Sequence, residues 1–560
     1  MALKPIYEKS PLTVLKAAAL RPGQVKMNNA VMEQLYAMLE NARNEYAAWE
    51  GMIRLGAVLG KKDVTAEKWT RQMLDMQKED GSLPLTLPQA LAVMRAAMAL
   101  YEQTAERSLL EKIAAWCGCL AADWENVIAC QEIRTTPADL MEMLVNLYRI
   151  TGKKAVSNLC AKLRQEGMDW SGTLHTFSVQ RPMSRVTPWA DMEAGLAAEQ
   201  GSEAGFYTRQ YLTCHAENLA DGMRSAQVNG LYSGNGMELS AGKTGWEKIS
   251  RYHGALCGGI TADETIAGTS PSAAVDAASL GAWAEAFAQQ DAAWAFDALE
   301  TLVENGLPAA VVEGKLVPFQ RVNSLKVNAG TNDCYHVHDA DAPQVWRALA
   351  RLSRGFAAAA STAVMSCKDG MEINLYMPGT YLVPVEGGAC RVEIAGGDGK
   401  YTITMKAKQA FKAAIRIRVP AWTDDAYIEV NQDGGDEGRP GQYLTLERTW
   451  NPGDVIRAEF GLNLRTVAAH HQGAAVLLGA KVMAAKAEGD NWAVALCGEP
   501  EIKDGKVTAA LAPVADWRKK GAVPADLPVL PACGEAVETE LTPYAQTPCR
   551  IAMFPRGKQA

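Results

Sequence analysis

Two stretches of the chain concentrate side chains able to move protons or hold a metal. Asp263 and Glu264 stand side by side in ADETIAGTSP, and Cys334, His336, His338, Asp339 and Asp341 crowd into NDCYHVHDADAP. A His-x-His step on an extended strand turns both imidazoles to one face, a spacing that suits zinc. A thiol just upstream could serve as a nucleophile, although most free cysteines are inert small hydrophobes. On spacing alone Glu264 reads as a solvated loop carboxylate, and HVH reads equally well as a solvated loop. Asp341, just before Ala342-Pro343, also suits a helix cap or a partner for the helix dipole. Ala241 to Thr244 reads A-G-K-T, but Met237 stands where a P-loop needs glycine, so it is no nucleotide site. GGDGK and NQDGGDEG are turns without the carboxylate run of an EF-hand.

Composition narrows the classes. The chain has 560 residues, 48% hydrophobic and 21% charged, too long for one hydrophobic core, so two to four domains are expected. Twelve cysteines include no CxxC pair, and only Cys117 and Cys119 sit close together. Zinc-finger and thioredoxin spacings are therefore absent, and scattered thiols fit a reducing compartment, which predicts a cytoplasmic location. A net charge of -8 without a Lys/Arg run argues against nucleic-acid binding. The opening MALKPIYEKSPLTVLKAAALRPGQ interrupts its apolar stretches with charge, unlike a secretory leader, and no uncharged apolar run reaches the roughly 18 residues of a membrane span. No membrane partner is expected, and a homo-oligomer stays open.

The elements that must position these residues change type once. Up to about residue 360, helical periodicity dominates: in ADLMEMLVNLYRITGKK, Leu140, Leu144, Leu147 and Tyr148 recur at three- and four-residue steps and Gly152 makes a stop. Similar segments run over 89–101, 109–124, 276–290, 292–305 and 345–356, which predicts an all-α domain of paired helices. Beyond 370 the pattern becomes short alternating runs such as MEINLYM, CRVEIAG, KYTITMKA and QYLTLERTW, punctuated by Gly, Asp, Asn and Pro. That pattern predicts an antiparallel β-sandwich. The expected division is 1–360 helical, 361–475 sandwich, and 476–560 a β or irregular segment that completes the sandwich or is appended to it.

Three stretches together carry a family likeness: CHAENLADGMRSAQVNGLYSGNG with WEKISRYHGALCGGITADETIAGTSPSAAVDAASLGAWAEAFAQQ; AAWAFDALETLVENGLPAAV; and IRIRVPAW, IEVN and GQYLTLERTWNPGDVIRAEFGLNLRTV. In their order they resemble the bacterial glycoside hydrolase family 127 superfamily, whose characterised members include β-L-arabinofuranosidases. The likeness runs from roughly residue 130 to PYAQTPCRIAMFP. It implies an (α/α)6 barrel with the active site in its mouth, followed by β-sandwich modules, and a carbohydrate substrate.

Residue by residue, the resemblance makes Glu264 the general acid/base, since ADETIAGTSP is similar to the family's Asp-Glu-x-x-Ala-Gly-x-x-Pro stretch. A carboxylic acid must protonate the departing glycosidic oxygen, and partial desolvation keeps that proton near neutral pH. His215, opening CHAENLADGM, looks like the family's sugar-facing histidine; Tyr252 and His253 in RYHG are similar to a segment just before the acid loop, where sugar contact and helix packing compete. The chain then departs from the pattern. The family's Glu-x-Cys becomes Asp276-Ala277-Ala278, and its adjacent Cys-Cys, which binds zinc and supplies the nucleophile, has no counterpart near His338, Asp339, Ala340 or Asp341. Three outcomes stay open: a sugar-binding relative without the thiolate centre; Cys334 as a substitute nucleophile with His336 and His338 as zinc ligands; or a carboxylate mechanism with Glu264 as acid and Asp339 or Asp341 as nucleophile or base. A polysaccharide lyase is a further alternative, because helical-barrel-plus-sandwich architectures also host eliminations.

Overall fold

The computed structural model describes residues 12, 15–62, 64–176, 216–260, 271–272, 293–312, 314–317, 320–324, 343–469, 473–487, 494–513 and 535–556. Seven of its helices matter most below: α1 (Tyr46–Val58), α2 (Leu87–Thr104), α3 (Ala138–Thr151), α4 (Ala216–Ser233), α5 (Gly236–His253), α6 (Ala293–Thr301) and α7 (Pro343–Ala363). Their boundaries follow from local chemistry. Helix α2 opens on a capping box, in which Thr86 N–H donates to the Gln89 side chain at 3.1 Å, and Pro88 occupies the first turn where its missing N–H costs nothing. Helix α3 buries Leu140, Met141, Leu144 and Leu147 along one stripe and ends at Gly152, whose left-handed φ of 64° lets its N–H reach Tyr148 O at 2.8 Å. The predicted segment 109–124 is a helix over Arg107–Ala122, and a new helix starts at Trp124. The segment predicted at 276–290 lies outside the described residues.

Helices α4 and α5, joined by Gly234-Asn235 with Gln227 Nε2 donating to Leu239 O at 2.6 Å, run antiparallel, whereas several other neighbours run parallel. The ends of α1 and α7 meet one short stretch: Leu20 N–H donates to Ser361 O at 2.9 Å and Met27 N–H to Val58 O at 3.0 Å. Glu50 pairs with Arg95, while three residues on Gln103 reaches Ile53 O at 3.1 Å, so α1 and α2 advance together. Helices α3 and α4 do the same, with Asp139 beside Arg224 and the Tyr148 and Tyr232 rings 6.3 Å apart. Gly51 allows α1 and α7 to pack closely, since a Cβ there would lie 2.8 Å from Ser353 Cβ. Parallel helices packed side by side, with further helices against them, form a helical barrel.

The chain turns to strands at Val364. A five-stranded sheet has the order 17–19, 364–367, 370–373, 411–418, 443–450; a seven-stranded sheet has the order 435–437, 426–430, 455–460, 400–406, 388–397, 379–385, 25–26. Alternation places Val383, Val392 and Ile403 from one sheet and Ile415, Ile417 and Trp450 from the other in a shared core. Pairing is antiparallel except for Gly370–Ile373 beside Phe411–Arg418, which is parallel. Trp422 and Trp450, at 9% and 0% exposure, are core residues and offer no stacking surface. The apolar core is continuous from the helices into the sandwich.

The remaining chain, from Leu464 to Ile551, builds a further sheet with two apolar clusters of its own. One cluster includes Cys257, Ala309 and Val322 from the helical half, so this sheet is locked against it. Between helices and sandwich an ionic tie adds to the apolar one. Arg418, fully buried, pairs with Asp297 of α6 and with Glu300 at 3.1 Å, and Trp422 Nε1 donates to Glu300 at 3.0 Å. Burial pushes the Glu300 carboxyl upward and Arg418 opposes it.

Candidate functional site

Where the helices converge, the barrel interior is charged. Arg95 on α2 holds Glu50 of α1 at 2.9 Å and pairs with Asp139 of α3. Arg224 on α4, 1% exposed, pairs with the same Asp139, with Glu142 at 2.7 Å and with Asp221 at 3.0 Å. Arg354 on α7 reaches Asp139 at 3.3 Å and Glu50 at 3.8 Å, and Arg351 reaches Asp221 at 3.6 Å. Arg54 closes the edge, at 2.9 Å from Glu50 and 2.5 Å from Glu102. Five helices thus each contribute to a network in which guanidiniums and carboxylates match one to one. Taking such groups out of water costs several kcal/mol per ion, and only this mutual satisfaction offsets it.

The network is polarised. Burial pushes the Glu50 carboxyl up, but Arg95, Arg354 and Arg54 outweigh it and hold it at about 2. Burial likewise works against the Asp139 carboxylate, and Arg354, Arg95 and Arg224 overcome it, keeping Asp139 well below the usual carboxylate range. Asp221 goes the other way, raised by burial and by Asp139 despite Arg224. Asp139 and Glu142 keep 33% and 28% of their side-chain surface open, so this floor presents carboxylate oxygens with guanidiniums packed behind them. Sequence reading missed it. The signal was there: Arg95 interrupts the apolar run ALAVMRAAMAL, and the charges at 139/142, 221/224 and 351/354 repeat an i,i+3 step that keeps each pair on one helix face.

The residues singled out for chemistry stand beside this scaffold along the chain. His215, Glu264, Asp276, Cys334, His336, His338, Asp339 and Asp341 lie outside the described residues, and Tyr252 and His253 are described only in backbone, as the last two residues of α5. Their flanks are well defined. His215 immediately precedes α4, and Asp341 stands two residues before Pro343 opens α7. Upstream of Glu264, the chain leaves α5 through a closed turn in which Gly254 and Ile260 pair as a bridge. Gly258 in that turn has φ 85°, and a Cβ there would meet Leu302 N at 2.7 Å, so the turn presses on the helical wall through a position only glycine fits. Downstream, Pro271 pairs with Arg321, and three residues beyond Arg321, Ser324 pairs with Arg550. Asn323 locks this crossing: buried, it donates to Met553 O at 2.9 Å and accepts from the Ala552 and Met553 N–H groups at 2.9 and 3.0 Å. The segments that carry Glu264 and Cys334 to Asp341 are therefore tied to neighbouring points on one small β crossing.

Donor chemistry decides what a metal could find. In the resemblance drawn from sequence, the counterparts of the family's zinc ligands supply one carboxylate, Asp276, which lies outside the described residues, and no thiolate, a donor set that does not fit a zinc-thiolate centre. Among the described residues no group of three His, Cys, Asp or Glu could hold a metal ion. Burial pushes the thiols of Cys117 and Cys160 up to about 12, which makes both poor nucleophiles. Among the described residues no helix is long and apolar enough to cross a membrane.

Comparison with known proteins agrees with this architecture. Residues 370–462 match the β-L-arabinofuranosidase GH127 middle domain. A solved glycoside hydrolase superposes with a TM-score of 0.72 at 14% identity, covering 100% of both chains. A GH127 β-L-arabinofuranosidase from Geobacillus stearothermophilus T6 gives 0.68 at 13% identity over 95% of this chain and 100% of that one. A second GH127 β-arabinofuranosidase gives 0.68 at 16% identity over 97% and 98%. No curated protein sequence matches the chain. A helical barrel with β domains, built as in those enzymes and carrying their middle domain over residues 370–462, makes this chain a glycoside hydrolase family 127-like protein in fold.

Proposed function

We propose that the protein is a glycosidase that removes a terminal sugar of the L-arabinofuranose type from an oligosaccharide, with Glu264 as general acid/base. The observation that supports this most is the Asp-Glu-x-x-Ala-Gly-x-x-Pro match around Glu264, in a segment tied at Ile260 and Pro271 to the fold of arabinofuranosidases. His215 and Asp341 enter α4 and α7, the helices whose Asp221 and Arg351 pair on the charged floor. In this reading Glu264 protonates the departing oxygen. Asp339 or Asp341 then attacks the anomeric carbon or activates water, and a carboxylate separation of about 5 Å against about 6.5–9.5 Å selects retention or inversion. His215, Tyr252, His253, Asp276 and His338 hydrogen-bond sugar hydroxyls, and no step runs through a metal. Free, largely buried thiols fit a reducing location such as the cytoplasm.

Glu264→Gln is expected to lower turnover of a cleaved glycoside by about 10²–10⁴-fold with the fold intact. A second reading, a carbohydrate-binding protein without catalysis, is favoured by one observation, the absence of both thiolate motifs. It prevails if a broad panel of aryl and natural glycosides shows no wild-type turnover while sugars still bind.

A further inference from the structure

A cleft of about 650 Å³ opens between α5, α6 and the end of the strand Leu464–Ala468. Trp246, Ser250 and Arg251 line it from α5, Trp294, Asp297 and Thr301 from α6, and Ala468 and Ala469 close it from the β side. Both indoles are half-buried and present part of their surface to the cleft.

Its polar side chains set the Arg251 guanidinium, a donor, beside oxygen acceptors. Ser250 Oγ donates to Trp246 O at 2.6 Å and Thr301 Oγ1 to Asp297 O at 3.0 Å, so each hydroxyl commits its proton to a helix carbonyl and keeps lone pairs to offer. Asp297 uses Oδ1 for Arg418 and for the Ala421 N–H at 3.1 Å, while Oδ2 has no partner among the described residues. Indole faces beside fixed oxygen acceptors suit a ring with C–H faces and O–H edges, which describes a neutral sugar. The Asp297 carboxylate and the Arg251 guanidinium together suit a ligand that both donates and accepts hydrogen bonds without net charge, and a purely apolar ligand would offer neither a hydrogen bond.

We propose that this cleft is a second carbohydrate subsite, which stacks a neutral sugar residue on Trp294 and Trp246 and accepts its hydroxyl protons on Asp297. As part of the proposed glycosidase it holds a sugar residue other than the one released, and to that extent it rests on the proposed function. Gly254 and Gly258 of the turn that precedes Glu264 in the chain also border it.

The test uses the full chain carrying Glu264→Gln, titrated calorimetrically with L-arabinofuranose and with its di- and trisaccharide. Trp294→Ala is expected to weaken trisaccharide binding about tenfold and leave the monosaccharide unchanged. Ala298→Phe, on the same wall, should do so by filling the cleft, which guards against a folding defect in the tryptophan variant. In the parent with Glu264 intact, Trp294→Ala should raise KM for the trisaccharide and leave kcat, and all kinetics on an aryl monoglycoside, as they were. Equal trisaccharide affinity with and without the two variants overturns the subsite, as does a parent that binds no arabino-oligosaccharide at millimolar concentration. The readings fail separately: variant-sensitive binding without wild-type turnover keeps the subsite and removes the glycosidase, and turnover with variant-insensitive binding does the reverse.

Discussion

The barrel interior and the sandwich interior solve opposite problems within one continuous core. Between the two sheets the fill is Val, Ile, Met and Trp, and stability there comes from removing apolar surface from water, about 25 cal/mol per Å². Where the ring helices converge the fill is Arg against Asp and Glu, which contributes little net stability compared with a hydrophobic packing of equal volume. A centre built this way stays polar and hydrated at one face, as Asp139 and Glu142 show, and positions its charges to within a hydrogen-bond length. The contrast teaches that one continuous core can be apolar where it only has to hold together and ionic where it has to hold charges in place.

The comparison breaks most visibly under single substitutions. Arg224→Ala, which takes one buried cation away from Asp139, Glu142 and Asp221 together, is expected to cost about 3–5 kcal/mol in urea unfolding. Trp450→Ala should cost a similar amount through its cavity, about 3–5 kcal/mol. The two differ in rescue: neutralising the network further with Asp139→Asn should recover part of the Arg224→Ala loss and none of the Trp450→Ala loss. Additive losses in both pairs would show that the charges do not act together.

Acid sharpens the contrast next. Glu50 and Asp139 have folded pKa values below their unfolded ones, so their stabilisation is full above the ordinary carboxylate range and is lost as pH falls through the folded values. For Glu50 the window runs from 4.5 down to about 2. Asp221, raised, acts in the opposite sense and loses an unfavourable charge early in the descent. Hydrogen exchange across this window should therefore show α1, α3 and α7 deprotecting before the strands 388–397 and 411–418. Simultaneous loss would mean that the network does not govern acid stability. The smallest effect is expected at the sandwich surface, where Lys406→Ala removes an exposed pair with Glu393 and should change stability by less than about 1 kcal/mol.

Much of this fold could be read from local pattern. The helix from Ala138 to Thr151 announces itself by Leu140, Leu144 and Leu147 and by Gly152 as its stop, and the strands after Gly370 announce themselves by alternation. The charged floor was legible only in part: the i,i+3 charge pairs mark its helix faces, but its partners are up to 304 positions apart, as Glu50 and Arg354 are, and only the packing of the helices brings them together. Asn323 is silent in sequence, since its worth lies in Ala552 and Met553, which arrive 229 and 230 residues later. For the chemistry itself, Glu264 was legible only through its flanking residues, because a carboxylate next to Asp263 carries no local signature of catalysis.

The strands Ala17–Ala19 and Val25–Lys26 have a consequence for how the chain is made. They are edge strands of both sandwich sheets, and Gln24 Nε2 bonds Leu382 O across 358 positions. The whole helical region is therefore an insertion inside a β-protein. At about 5–20 residues per second of synthesis, these strands wait roughly 20–70 s for their partners. Their length of three and two residues keeps that interval harmless, because an edge so short offers a passing strand almost nothing to zip onto.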